Sequence, residues 1–170
     1  MKSGLVYLRT QRMTYMRVTG PYETSIPEAW SRMLEWVDRH GLSSPVGRGY
    51  GLARDNPAIV SPDRCRYDAC IQVSPLFEDR AARELGLVTL PAGPYTRLRH
   101  AGGYEPIRSL IGTLYGSFQA PEGLWLDDRR PVVTIYLDDP RRMDPVDLRA
   151  DVCVPVSAAR LSRDPEQAAA

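Results

Sequence analysis

Blocks of this chain return at a nearly fixed distance. Tyr15-Met-Arg-Val-Thr-Gly-Pro-Tyr-Glu23 reappears as Arg97-Leu-Arg-His-Ala-Gly-Gly-Tyr-Glu105, which puts Tyr22 and Tyr104 82 positions apart. Gly51-Leu-Ala-Arg-Asp-Asn-Pro57 matches Thr134-Ile-Tyr-Leu-Asp-Asp-Pro140 at an offset of 83, and Arg66-Tyr-Asp-Ala-Cys-Ile-Gln-Val73 matches Arg149-Ala-Asp-Val-Cys-Val-Pro-Val156 at the same offset. A shared offset over successive blocks marks a tandem duplication. Two copies are too few for a solenoid, so the pattern predicts two half-domains packed about a pseudo-two-fold axis.

Within each half the hydrophobic periods are legible. From Ser25 to His40, Ile26, Trp30, Met33, Leu34 and Val37 recur at helical spacing; Ser25 and Glu28 form a candidate capping box, and Gly41 is the stop. The counterpart runs over 105–118, with Ile107, Leu110, Ile111, Leu114 and Phe118 on one side. Strand-like stretches alternate with period two: Tyr67, Ala69, Ile71 and Val73 against Asp68, Cys70 and Gln72; Val152, Val154 and Val156 against Asp151, Cys153 and Pro155; Val133, Ile135 and Leu137 against Val132, Thr134 and Tyr136. The order in each half is strand, helix, strand, strand. This predicts an α+β fold of duplicated βαββ halves, with helices covering the aliphatic face of antiparallel sheet. One domain is expected over 1–157, built from halves of about 5–75 and 84–157, with an alanine-rich tail over 158–170.

Composition excludes several chemistries. Lys plus Arg number 22 and Asp plus Glu 21, a net charge of +1, so no broad field draws in nucleic acid or anionic lipid. The longest apolar runs fall far short of the roughly 18 residues of a membrane helix, and the Arg-bearing first residues do not read as a signal peptide. A cytoplasmic protein with no membrane and no direct nucleic-acid partner is expected. The three cysteines, Cys65, Cys70 and Cys153, lack Cys-x-x-Cys spacing, and with His40 and His100 they form no zinc pattern. No metal and no cofactor are expected. Gly47-Arg-Gly-Tyr-Gly51 lacks the third glycine of a dinucleotide fingerprint, which Leu52 replaces.

Function is therefore sought on the face away from the helices. The residues assigned there are chemically mixed: Thr134, Tyr136, Cys70, Cys153, Gln72, Asp68 and Asp151. Gly49, Gly51 and Ala53 occupy the first-half positions that match Val132, Thr134 and Tyr136. Small residues in one half facing aromatics in the other suit an open concavity, although strand glycines also serve bulges. Tyr15 is a candidate to point into this hollow. Trp125, on the loop-like stretch before Thr134, is either a lid or a closure of the core edge. Trp30 reads as core, Trp36 as a partly exposed flank, and His40 as the cation that ends a helix.

On these residues the chain resembles the GyrI-like (SbmC-like) family of bacterial small-molecule-binding domains. The matching stretches are Gly20-Pro-Tyr-Glu23, Trp36-Val-Asp38, Asp55-Asn-Pro57, Arg66-x-Asp68, Pro91-Ala-Gly93, Ile135-Tyr-Leu-Asp-Asp139 and Asp151-Val-Cys-Val-Pro-Val156. The resemblance implies two SHS2-type halves, outer helices, and a central cleft for amphipathic, often cationic aromatic compounds. It also implies kinship with the effector-sensing domains of AraC-type and MerR-type regulators, with gyrase inhibitors, and with hydrolases of cyclopropane-bearing genotoxins. Members commonly carry a glutamate at the pocket floor, two residues before the strand tyrosine; this chain has Thr134 there. A hydroxyl attracts a cation far less than a buried carboxylate does, so cation selectivity and hydrolysis are both expected to be weaker.

The expected ligand-binding set is thus Tyr15, Gly51, Asp68, Cys70, Trp125, Thr134, Tyr136, Asp151 and Cys153. Asp68 and Asp151 either supply charge to the pocket or satisfy backbone amides. The expected function is capture of an amphipathic small molecule, with DNA gyrase or a separate regulator as a further partner. The alternatives are hydrolysis through Tyr136 and docking on gyrase.

Overall fold

Both copies of the Tyr-Glu block do the same mechanical job. Tyr22 Oη donates to the Asp55 carbonyl at 2.6 Å, while the Asp55 carboxylate accepts from the backbone N–H, Nε and Nη2 of Arg66. Eighty-two or eighty-three positions on, Tyr104 Oη donates to the Asp138 carbonyl at 2.9 Å, and Asp138 grips Arg149 through the same three donors. The repeated residues fasten the start of each helix to the loop between the last two strands of its half.

The computed structural model describes residues 3–41, 48–72 and 75–158. In chain order they form β1 (Ser3–Leu8), β2 (Gln11–Thr19), α1 (Tyr22–Arg39), β3 (Gly49–Ala53), β4 (Arg66–Ile71), α2 (Pro75–Glu84), β5 (Gly86–Leu90), β6 (Gly93–Ala101), α3 (Glu105–Ser117), β7 (Trp125–Leu126), β8 (Val132–Tyr136) and β9 (Arg149–Ser157). The fold is α+β, and each half contributes the expected βαββ unit. The tail from residue 159 on lies outside the described residues.

The two half-sheets join into one antiparallel sheet, ordered β1-β6-β9-β8-β3-β4-β2-β5, with β7 paired to β9. The halves meet at β3 and β8, where Gly51 pairs with Thr134. These two residues are equivalents in the repeat, so the pseudo-two-fold axis passes between them. The strand ahead of each βαββ unit is exchanged: β1 pairs with β6 of the second half, and β5 with β2 of the first. The exchange ties the halves together at both edges as well as at the centre.

Apolar side chains fill both faces. On one, Ile26, Ala29, Met33 and Val37 of α1 and Ile107, Ile111 and Leu114 of α3 pack on Val18, Tyr67, Ala69, Ile71, Val132, Val152 and Val154. Burying each such aliphatic chain stabilises the fold by roughly 1.5–3 kcal/mol. On the other, the curled sheet closes over Met13, Tyr50, Leu52, Cys70, Leu90, Tyr95, Val133, Ile135 and Cys153, with Val6 and Leu8 from one edge and Val88 from the other packed against them. This second core replaces the hollow that the sequence suggested on that side.

Two local expectations are corrected. Helix α1 starts at Tyr22 rather than Ser25, because the Pro21 carbonyl accepts from the N–H groups of Thr24 and Ser25. Ser25 is buried inside the first turn and caps nothing. Trp36 is no exposed flank: it is buried, and its indole N–H donates to Glu84 Oε2 of α2 at 2.8 Å.

Candidate functional site

A cleft of about 340 Å³ opens on the helix-bearing face, to one side of the pseudo-axis. Its apolar wall is the Ile26, Pro27, Trp30, Leu34 face of α1, and its floor is Gly49, Ile71 and Tyr136. The opposite wall combines Gly103, Tyr104, Glu105 and Arg108, at the entry to α3, with the loop Asp138–Arg141.

The floor is an aromatic assembly that only glycine permits. Gly49 pairs with Tyr136. A Cβ on Gly49 would stand 2.6 Å from Cη2 of Trp30, and one on Gly51 would stand 2.0 Å from Tyr67 Oη. The bare backbone of β3 therefore receives the two rings. These glycines are close-approach positions. The Trp30 indole N–H donates to Tyr67 Oη at 3.1 Å, and Tyr67 Oη lies 3.2 Å from Tyr136 Oη. Tyr136 also meets Trp30 and Tyr104 edge to face, with centroids 5.1 and 4.9 Å apart. Such contacts add about 0.5–1.5 kcal/mol each beyond burial.

Burial raises the Tyr67 and Tyr136 phenols well clear of neutrality, and raises Tyr104 to about 12. All three stay protonated donors. Among the acids, hydrogen bonding to Arg149 lowers Asp138, and hydrogen bonding to Arg141 lowers Asp139; Arg141 reaches Asp38 of α1 as well. His100 Nε2 contacts the Gly103 carbonyl at 2.6 Å and steadies the turn at the cleft mouth.

The cleft breaks the symmetry of the fold. In the repeat, Trp30 and Leu34 correspond to Gly112 and Gly116 of α3, and Tyr136 to Ala53. The matching end of the sheet pairs Ala53 with Val132.

Of the residues expected to bind ligand, Tyr136 lines the cleft and Gly51 shapes it from beneath. Thr134 shares their face but is fully buried, its Oγ1 without a hydrogen-bond partner among the described residues, and does not line the cleft. The rest lie elsewhere, because β8–β9 register pairs Thr134 with Val152 and Val133 with Cys153. Thr134 and Tyr136 thereby face the helices, while Cys70, Cys153, Asp68 and Asp151 face the second core. Asp68 there accepts from Arg17 Nε and Nη2 and from Arg54 Nε, and Asp151 accepts from Arg99. Cys70 and Cys153 are buried free thiols raised by desolvation. Tyr15 lies against Gly86 with Arg17 over its ring, and Trp125 pairs with Ser157 at the far end of β9. The reading of a single mixed face is thus corrected to two faces.

Among the described residues, no group of three or more His, Cys, Asp and Glu is placed to hold a metal ion, and no helix is long and apolar enough to cross a membrane.

Residues 1–157 match the family model described as the GyrI-like small molecule binding domain. A DNA gyrase inhibitor of Serratia proteamaculans (strain 568) is 36% identical over 87 residues, 50% of this chain and 54% of that one, so the match spans about half the relative's length. The probable transcriptional regulator YgiV of Escherichia coli (strain K12) is 27% identical over 130 residues, 75% of this chain and 79% of that protein. The structure of SAV2435 bound to tetraphenylphosphonium shares the fold, with a TM-score of 0.57 at 9% identity over 92% of this chain and 94% of the other.

Proposed function

The chain belongs to the GyrI-like small-molecule-binding family, and from that premise we propose that it captures an amphipathic aromatic compound in the cleft between α1, α3 and the 138–141 loop. The observation that carries this reading is the Trp30–Tyr136–Tyr104 assembly on a floor cleared by Gly49. A flat apolar body stacks on such a surface, and the charged groups at the mouth keep its polar end wet. Binding serves sensing or sequestration, in line with a relative named as a probable transcriptional regulator. The protein is read as cytoplasmic.

Binding suits this cleft better than hydrolysis does. Its phenols are held protonated, Asp138 and Asp139 are engaged by arginines, and Glu105 is exposed at the start of α3, so none of them is set up as a nucleophile. A second reading, docking on DNA gyrase, draws on the relatives named gyrase inhibitors; co-purification with gyrase tests it.

Titration of intrinsic fluorescence with flat amphipathic compounds of differing charge tests the main reading. Saturable binding at micromolar concentration, weakened by Trp30→Ala, is expected. Absence of binding by every such compound at high micromolar concentration would overturn it.

A further inference from the structure

The charges around the cleft are not equivalent. Asp138 is held by Arg149, and Asp139 by Arg141, which also reaches Asp38. Two lining charges remain, Glu105 and Arg108, both on the first turns of α3. Glu105 is exposed and stands at the helix start, where a carboxylate complements the dipole. It also folds over the turn, since a Cβ on Gly103 would lie 2.6 Å from Glu105 Oε2.

Arg108 has no such settlement. It is half-buried in the cleft wall, and among the described residues no carboxylate lies within ion-pair distance of it. It sits near the end of the helix where a cation is disfavoured. Arg108 lines the same cleft as the Tyr136 floor. Beneath, Thr134 adds no charge. Among the described residues, the cleft thus joins an aromatic floor to a guanidinium with no carboxylate in ion-pair distance.

We propose that the cleft selects aromatic carboxylic acids, the ring lying against Trp30 and Tyr136 and the carboxylate taking both arms of the Arg108 fork. This rests on the small-molecule reading above and fixes the charge of the guest. The planar guanidinium matches a carboxylate bidentately, which an ammonium cannot do.

Three matched probes decide it: 2-naphthylacetate, its neutral amide, and 2-naphthylethylammonium, titrated into the full chain by calorimetry at low salt. The acid is expected to bind about tenfold more tightly than the amide, with the ammonium weakest. Arg108→Met should erase the acid's advantage over the amide, and Arg108→Lys should restore only part of it. Amide or ammonium binding as tightly as the acid overturns the selection of acids and leaves the small-molecule reading standing. So does an acid preference that survives Arg108→Met. Failure of all three probes, together with that of larger flat aromatics, overturns both.

Discussion

Tyr67 and Tyr136, one phenol from each half of the duplication, meet with their oxygens 3.2 Å apart under the cleft. Trp30 donates to the first of them and packs against the second. This small network is where the symmetric scaffold becomes an asymmetric site, and its consequences are measurable.

The glycines beneath it differ in what they protect. Gly51→Ala drives a methyl into the Tyr67 hydroxyl, inside the core, and is expected to cost about 1–3 kcal/mol in urea unfolding. Gly49→Ala meets the outer edge of the Trp30 ring instead. It should weaken ligand binding more than it weakens folding.

Thr134 carries a buried hydroxyl with no partner among the described residues. Thr134→Val keeps the shape and removes that cost, so the urea midpoint should rise by the equivalent of roughly 1 kcal/mol. Ligand affinity should stay within twofold, because the residue lies below the floor. A large loss of affinity would show that Thr134 touches the guest.

Acid stability should follow the repeated locks. Hydrogen bonds from Arg66 and from Arg149 hold Asp55 and Asp138 below the usual carboxylate value. Each folded-state pKa is depressed, so the stabilisation is fully present above the unfolded value, about 3.9, and is lost as pH falls through the lower folded values. Urea midpoints should therefore drop below about pH 4. The double variant Asp55→Asn, Asp138→Asn should show a flatter profile and lower stability at neutral pH.

The fold was largely legible in the sequence because its repeats are structural. The Tyr-Glu, Asp-x-Pro and Arg-x-Asp blocks stand out in both copies because each copy must build the same lock between helix and loop. The candidate site was legible only in part, through Gly49 and Gly51 set against Tyr136, and the rest was hidden for two reasons. Strand β8 is buried on both faces, so Val-Val-Thr-Ile-Tyr carries no amphipathic signal to say which side Thr134 shares. Only the inter-strand register settles that, and register is not written in a uniformly buried strand. In addition, the cleft wall uses Trp30 and Leu34 at core spacing, where nothing distinguishes a helix face that packs from one that lines a space. A further hint lay in the repeat: Gly112 and Gly116 of α3 stand where α1 has Trp30 and Leu34.

Indole N–H resonances give the most direct test, since the three tryptophans report on three places: Trp30 in the cleft wall, Trp36 under α2 and Trp125 on β7. In a titration with a bound aromatic compound, the Trp30 signal should move saturably, along with the amides of Gly103 and Tyr104, while Trp36 and Trp125 stay in place. A still Trp30 signal, with shifts gathered instead at Tyr15, Cys70 and Cys153, would contradict the account by moving the guest to the other face of the sheet.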